Sequence, residues 1–433
     1  MKVEPQNGKY MERNDFPSYN DEFAGAYRVS HPDQIYDENT FLCKDVTFCV
    51  TESCNLACTY CYEHHKTGHR MSWDTAKKIV DSLFEGAFLD NQAPAIILDF
   101  IGGEPLLEIE LIDKIVEYFK RKAFNLKHPW GYYYMISIST NGVLFEDERV
   151  QEFIRKNKSH LSIGISIDGD KRLHDSCRVF HDGAGSYDVV AKAAKHLLQI
   201  YPMASTKVTL APENLPHLFG AVQHLYELGY HAIHANCVFE NVWKPEHEKV
   251  YYHNLVKLAD WIIDNEIYKE LYISLFEERF VQKPSLEEYE RQKTIAYCGG
   301  NGRMLAFDTE GKAYPCLRYM KHSLTNQPER PIGELNLGLY QDKETTEWYK
   351  QLCNVTTWSS SDNECRECPL LPYCPTCIAW QYDANGDPNC KTKHHCGMVK
   401  AQVAANYYYW SKLYEKLGLD KQALRLLPVQ EFE

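Results

Sequence analysis

The 433-residue chain has no run of eighteen consecutive apolar residues, so nothing in it reads as a membrane-spanning helix. The stretch 1–15 is polar and charged and lacks the apolar core of a secretory signal. Basic residues are outnumbered, with 47 Lys and Arg against 60 Asp and Glu and a formal charge of −13. A nucleic-acid partner is therefore not expected, because phosphates call for a basic surface. A basic or neutral peptide partner is compatible with that charge, although an acidic surface also serves solubility alone. Internal repeats and low-complexity tracts are missing too. With 44% hydrophobic and 25% charged residues, the chain reads as a cytoplasmic globular enzyme of two or three packed units.

Cysteine, by contrast, is abundant. There are 16, in a chain with no sign of export, which favours metal or cluster ligation over a disulfide framework. Three fall within Cys54–Cys61 and nine between Cys298 and Cys396. Cys43, Cys49, Cys177 and Cys237 lack ligand-like spacing and are expected to be small buried side chains.

Between these groups, short β-like runs alternate with helical apolar stripes. Asp45–Val50, Ala95–Ile101, Tyr132–Ser139, Leu161–Ile167, Lys207–Leu210 and His231–Phe239 are the strand candidates. Trp73, Ala76, Ile79, Val80, Leu83 and Phe84 repeat at helical spacing after the first, and similar stripes follow the next four. The fold class is α/β: a partial six-unit barrel of parallel strands with helices outside, its chemistry at the strand C-termini. The expected division is an extension over 1–43, the barrel over 44–245, a helical bridge over 246–297 and a small α+β unit over 298–433 that closes on an aromatic-rich helix from Met398 to Leu417.

The first cysteine group reads Cys-x3-Cys-x2-Cys, at Cys54, Cys58 and Cys61. Three thiolates on one tight loop suit three irons of a [4Fe–4S] cube and leave the fourth iron open. A zinc loop is the alternative, with His64, His65 or His69 as the further ligand. The segment resembles the signature of radical S-adenosylmethionine (SAM) enzymes. Gly102-Gly103-Glu104-Pro105, at the end of the second strand, resembles their GGEP motif. The resemblance implies that Gly102, Gly103 and Glu104 meet the SAM ammonium group, with Glu104 as its charge partner. It also implies that Ser139, Asn141, Ser166 and Asp168 contact the ribose and methionine, that Arg178 meets the carboxylate and that Tyr60 lies near the adenine. Ordinary strand-end capping is the competing role for Ser139 and Asp168.

The second group, Cys298, Gly311, Cys316, Cys365, Cys368, Cys374, Cys377, Cys390 and Cys396, resembles the SPASM domain, which houses auxiliary iron–sulfur clusters in peptide-modifying enzymes. Cys374 and Cys377 are separated by two residues where the family usually has three. The resemblance assigns Cys298, Cys316 and Cys377 to one auxiliary cluster, completed by Cys353 or left open for a substrate thiol, with the open form expected. It assigns Cys365, Cys368, Cys374 and Cys396 to another, with Cys390 the rival of Cys396. By spacing alone this array would equally suit zinc.

The implied cofactors are SAM and three [4Fe–4S] clusters. The implied activity is oxidative modification of a ribosomally made peptide by a 5′-deoxyadenosyl radical, through a thioether or carbon-linked crosslink. A reductase or flavodoxin-type donor would supply electrons. A leader-binding unit does not fit in the residues before Asp45, so leader recognition is expected from a separate protein, from the barrel, or not at all. One alternative is a sulfatase-maturing enzyme making formylglycine; in that group an Asp follows the Cys of the Y-P-C segment, whereas Leu317 stands here. Another is a non-catalytic zinc or electron-transfer protein. No general base is evident: Asp308, Glu310 and Tyr314 read as solvated-loop residues.

Overall fold

The computed structural model describes residues 43–424 apart from 64, 66, 90–92, 282–284, 288–289, 291–297 and 372–373. The extension expected over 1–43 therefore lies, but for its last residue, outside the described residues, as does His64.

The six expected strands all form: β1 (Cys43–Thr51), β2 (Ala95–Gly102), β3 (Tyr134–Thr140), β4 (Leu161–Ile165), β5 (Ser205–Leu210) and β6 (Ala232–Cys237). Neighbours pair in parallel from β1 to β4, and β5 pairs with β6. A bridge between Ser166 and Lys207, with Thr206 Oγ1 donating to the Ile165 carbonyl at 3.0 Å, joins the two halves. Helices cross between the strands and cover their outer face, as parallel connections require. Among them are α1 (Trp73–Glu85), α2 (Ile109–Asn125), α3 (Glu148–Asn157), α4 (Lys171–Cys177), α5 (Tyr187–Ile200) and α6 (Leu218–Leu228).

Alternation along each strand separates two environments. On β3, Tyr134, Ile136 and Ile138 are buried in the helix layer, so Met135, Ser137 and Ser139 face the lumen. Val46, Phe48 and Val50 of β1 pack outward with Ile79, Val80 and Leu83 of α1. That helix starts where Ser72 Oγ accepts from the Thr75 amide and stops at Gly86, whose φ of 72° suits glycine. The inward positions carry Asp45, Thr47, Asp99, Ser137, Ser139, Lys207 and Thr209, a polar lining that a run of apolar letters conceals.

Two pairings were not legible in the sequence. A two-residue strand, β7 (Tyr272–Ile273), adds to β6, too short for any period to show. Past the boundary expected at residue 298, β8 (Met304–Phe307) pairs in parallel with β1 and turns into β9 (Lys312–Tyr314), followed by β10 (Gly333–Glu334) and β11 (Gly338–Leu339). One sheet thus runs from the barrel into the cysteine-rich region. Tyr314 departs from its expected place on a solvated loop: it is fully buried on β9, with its hydroxyl 3.0 Å from Asp308 Oδ2 and 2.6 Å from Glu329 Oε2.

In the rest of the region, α7 (Pro245–Asp264) lies against the long C-terminal helix, α8 (Cys396–Leu417). Tyr408 donates to Asp260 Oδ1 at 2.7 Å, and Tyr409 stacks on Phe276 with ring centres 4.5 Å apart. The aromatic content of the last helix is therefore spent on docking. No helix among the described residues is long and apolar enough to cross a membrane.

Candidate active site

The first cysteine loop leaves β1 at Thr51 and is laced to its surroundings through the backbone. The Ala57 amide donates to the Val179 carbonyl at 2.7 Å, Thr59 to Cys177 at 2.9 Å and Glu52 to His69 at 2.8 Å. Cys54, Cys58 and Cys61 are each partly exposed; burial first, then the neighbouring thiols Cys54 and Cys61, push Cys58 up to about 11 against the lowering pull of Arg178. Among the described residues no three His, Cys, Asp or Glu groups converge as a single metal ion requires. A four-iron cube spreads its ligands over separate corners, and three thiols sharing one loop fit that demand.

The GGEP turn at the end of β2 lies directly on this loop. The Gly103 amide donates to the Thr51 carbonyl at 3.0 Å and the Glu104 amide to Ser53 at 2.9 Å. A Cβ on Gly102 would stand 2.1 Å from the Thr51 oxygen, and one on Gly103 2.4 Å from the Ser53 oxygen. Within the protein itself, then, the glycines admit the backbone of the cysteine loop.

Glu104 is almost fully buried. Its Oε1 accepts from Thr140 Oγ1 at 2.6 Å and the Leu106 amide at 3.1 Å, and its Oε2 from the Asn141 amide at 2.8 Å. Burial pushes its carboxyl up, while these donors and Arg178 pull it down. Asn141 continues the chain: its Nδ2 donates to Asn55 Oδ1 at 2.7 Å and lies 3.8 Å from Cys54 Sγ. The ends of β2 and β3 are thereby tied to the first thiol. Thr140 and Asn55 are the partners that spacing alone did not single out.

Across the strand ends, Asp168 is completely buried and accepts from Arg178 Nε at 2.9 Å and from the Tyr60 hydroxyl. The guanidinium also lies 5.4 Å from the centre of the Tyr60 ring. Burial opposes the charge on Arg178, but Asp168 and Tyr60 outweigh it and hold the group cationic. Arg178 is placed by α4, which Asp170 caps by accepting from the Leu173 amide at 2.9 Å. Ser166 joins this wall through its amide, which donates to the Thr140 carbonyl at 2.9 Å. Ser139 stays exposed towards the lumen. Tyr60, Glu104, Asn141, Ser166, Asp168 and Arg178 therefore share the rim of one barrel mouth, and a cavity of about 580 Å³ meets that rim at Tyr60 and Cys61 and is lined further by Arg172, Glu213 and His217. That size suits a nucleoside-bearing cofactor.

In the second array, Cys298, Cys316 and Cys377 act on one another's charge. Cys353 does not join them; its thiol meets Tyr349 and lies against Gly302. Cys368, Cys374 and Cys396 form a second group, with Cys365 turned towards Asp362 and Cys390 exposed. Arg318 spans the arrays. Its Nη2 lies 2.9 Å from Glu240 Oε1, its guanidinium stands 5.2 Å from the Tyr62 ring beside Cys61, and Cys377 is the charge that most strongly keeps it protonated. Of the four remaining cysteines, Cys49 and Cys177 are buried as expected, and Cys43 and Cys237 only partly.

Residues 48–217 match the Radical SAM superfamily. An uncharacterized protein of Methanocaldococcus jannaschii is 36% identical over 186 residues, 42% of this chain and 59% of that protein, so the chain spans little more than half of that relative. A cysteine-type anaerobic sulfatase-maturating enzyme of Clostridium perfringens is 23% identical over 81% of this chain and 92% of its own length. The antilisterial bacteriocin subtilosin biosynthesis protein AlbA of Bacillus subtilis is 22% identical over 78% and 68%. Among solved structures, native anSMEcpe with bound AdoMet and Cp18Cys peptide superposes with a TM-score of 0.63 at 20% identity, covering 87% of this chain and 99% of that one. Streptococcus suis SuiB bound to precursor peptide SuiA gives 0.53 at 14% identity, covering 86% and 78%.

Proposed function

The chain belongs to the radical SAM superfamily and has a SPASM-type cysteine-rich region, and from that premise we propose that it oxidatively modifies a ribosomally made peptide by forming a thioether or carbon-linked crosslink. The observation that carries the reading is the shared rim, where hydrogen bonds tie Glu104 and Asn141 to the Cys54–Cys61 loop and Tyr60 and Arg178 to Asp168, beside a cavity that reaches Tyr60 and Cys61, with a second thiol array behind Arg318. When bound, the cluster on Cys54, Cys58 and Cys61 and SAM would supply a 5′-deoxyadenosyl radical that takes one hydrogen atom from the substrate. Glu104 would hold the SAM ammonium group, Arg178 its carboxylate, and Tyr60 the adenine side of the cavity. Gly102, Gly103, Ser139, Asn141, Ser166 and Asp168 would complete the cradle.

Cys298, Cys316 and Cys377 would hold one auxiliary cluster, and Cys365, Cys368, Cys374 and Cys396 the other, with a reductase or flavodoxin-type protein as donor. The placement of Cys353 away from the first of these sets supports an open iron there, suited to a cysteine thiolate of the peptide.

A sulfatase-maturing reaction is the second reading, favoured by how much of that Clostridium relative the alignment covers. Leu317 in place of the acidic residue favours the first. Mass spectrometry of a co-expressed cysteine-containing peptide separates them. A crosslink removes two hydrogens and keeps the sulfur, whereas formylglycine loses it. An unmodified peptide alongside active SAM cleavage would count against both.

Glu104→Gln removes the charge proposed for the ammonium group, and SAM binding is expected to weaken by about 1.5–3 kcal/mol. Equilibrium binding, with a melt run alongside to register damage to the Thr140 and Asn141 contacts, measures it. Undiminished affinity would detach Glu104 from the cofactor.

A further inference from the structure

β5 turns one basic side chain into the lumen. Thr206, Val208 and Leu210 are buried in the outer layer, which sends Ser205, Lys207 and Thr209 inward. Lys207 stands level with Ser166 on one side and with His234 of β6 on the other. It thus sits between the rim that carries Asp168 and a second cavity of about 270 Å³, which runs from His234 and Asn236 to Pro375 and His395, next to Cys374 and Cys396.

No described residue gives the Lys207 amine a hydrogen bond or ion pair. The charged groups that act on it are Arg178 and Arg318, both cationic and each already paired, with Asp168 and Glu240. The residue is nevertheless exposed to the open lumen. Enclosure by the barrel wall, then Arg178 and Arg318, push its amine below the ordinary lysine range. A lysine on an outer surface would be solvated or matched with an acid, and a packing role on a parallel strand would favour a β-branched residue. Of these three cations only Arg178 and Arg318 have carboxylates.

We infer that Lys207 is the recognition point, inside the barrel, for a carboxylate of the substrate peptide, carried by an acidic side chain or the chain terminus. Ser166 flanks the amine and can take one of the two oxygens. The inference rests on the peptide-modifying reading, and it makes the lumen selective for substrates with an acid near the reacting residue.

Equilibrium binding to the reconstituted full chain, with SAM present, compares acetyl-Gly-Cys-Ala-Glu-Gly-amide with its Gln analogue. The natural protein is expected to prefer the Glu peptide by roughly tenfold or more. Lys207→Met should abolish that preference and Lys207→Arg should retain it, while the preference for SAM over S-adenosylmethioninamine, which lacks the carboxylate, should stay unchanged in Lys207→Met. If Lys207→Met and the natural protein are indistinguishable in the peptide pair, including through failure of either peptide to bind, or if only the SAM pair responds, the inference is overturned. Formation of 5′-deoxyadenosine by the natural protein is scored separately, and its absence would sink the proposed function instead.

Discussion

Replacement of Cys54, Cys58 and Cys61 together by alanine is expected to remove about four irons per chain and all cleavage of SAM to 5′-deoxyadenosine. The expectation is all-or-none because these thiols sit on one loop, and the surrounding Glu104, Asn141 and Asp168 are committed to hydrogen bonds that tie strand ends together. None of them can move in as a replacement ligand without opening that network. Iron in the second array should persist, since Cys298, Cys316 and Cys377 lie in a separate group around Arg318. Iron counting with quantitation of 5′-deoxyadenosine decides it. Cleavage that survives the triple substitution would remove the cluster assignment, and loss of every iron with loss of fold would show in a parallel melt.

Asp168→Ala is expected to destabilise the protein by about 3–5 kcal/mol, because it strands a buried guanidinium without its counter-charge. Asp168 has no exposed surface and Arg178 is 9% exposed, so solvent cannot replace the lost partner. Tyr60→Phe removes only the hydroxyl contact to the same carboxylate and should cost about 0.5–1.5 kcal/mol. Denaturant unfolding of the three proteins without SAM measures both. In an Asp168→Ala/Arg178→Met double variant much of the loss should return, since no unpaired charge is then buried. Equal, small effects from Asp168→Ala and Tyr60→Phe would mean the ion pair is not what closes this side of the mouth.

The sequence was informative wherever chemistry is local. Apolar runs punctuated by Gly, Asn and Asp led to all six barrel strands and to five of the six helices between them, α4 being too short to show a period, because alternation and helical spacing are properties of a few adjacent residues. Cys-x3-Cys-x2-Cys and GGEP were legible because a loop ligand set and a tight turn are written in consecutive letters. Glycines 102 and 103 were visible too, but not their contact: steric room for the backbone of the cysteine loop, as well as any room for cofactor, could only be measured in space.

Composition, spacing and resemblance by themselves pointed to the fold class and to the residues that the structure places at the barrel mouth. The tertiary structure alone decided which of them touch. Asp168 meets Tyr60 from 108 residues away and Glu240 meets Arg318 from 78, separations at which no periodicity carries information. It also decided that β8 extends the barrel sheet and that Tyr314 is buried, and it sorted the cysteines of the second region into two groups. Lys207 is the plainest case: in the sequence it is a lysine in a strand, and only the closing of the barrel turns it inward, between two arginines that already have their acids. Long-range pairing sets such charges against one another, and that pairing is a property of the closed barrel rather than of any segment in it.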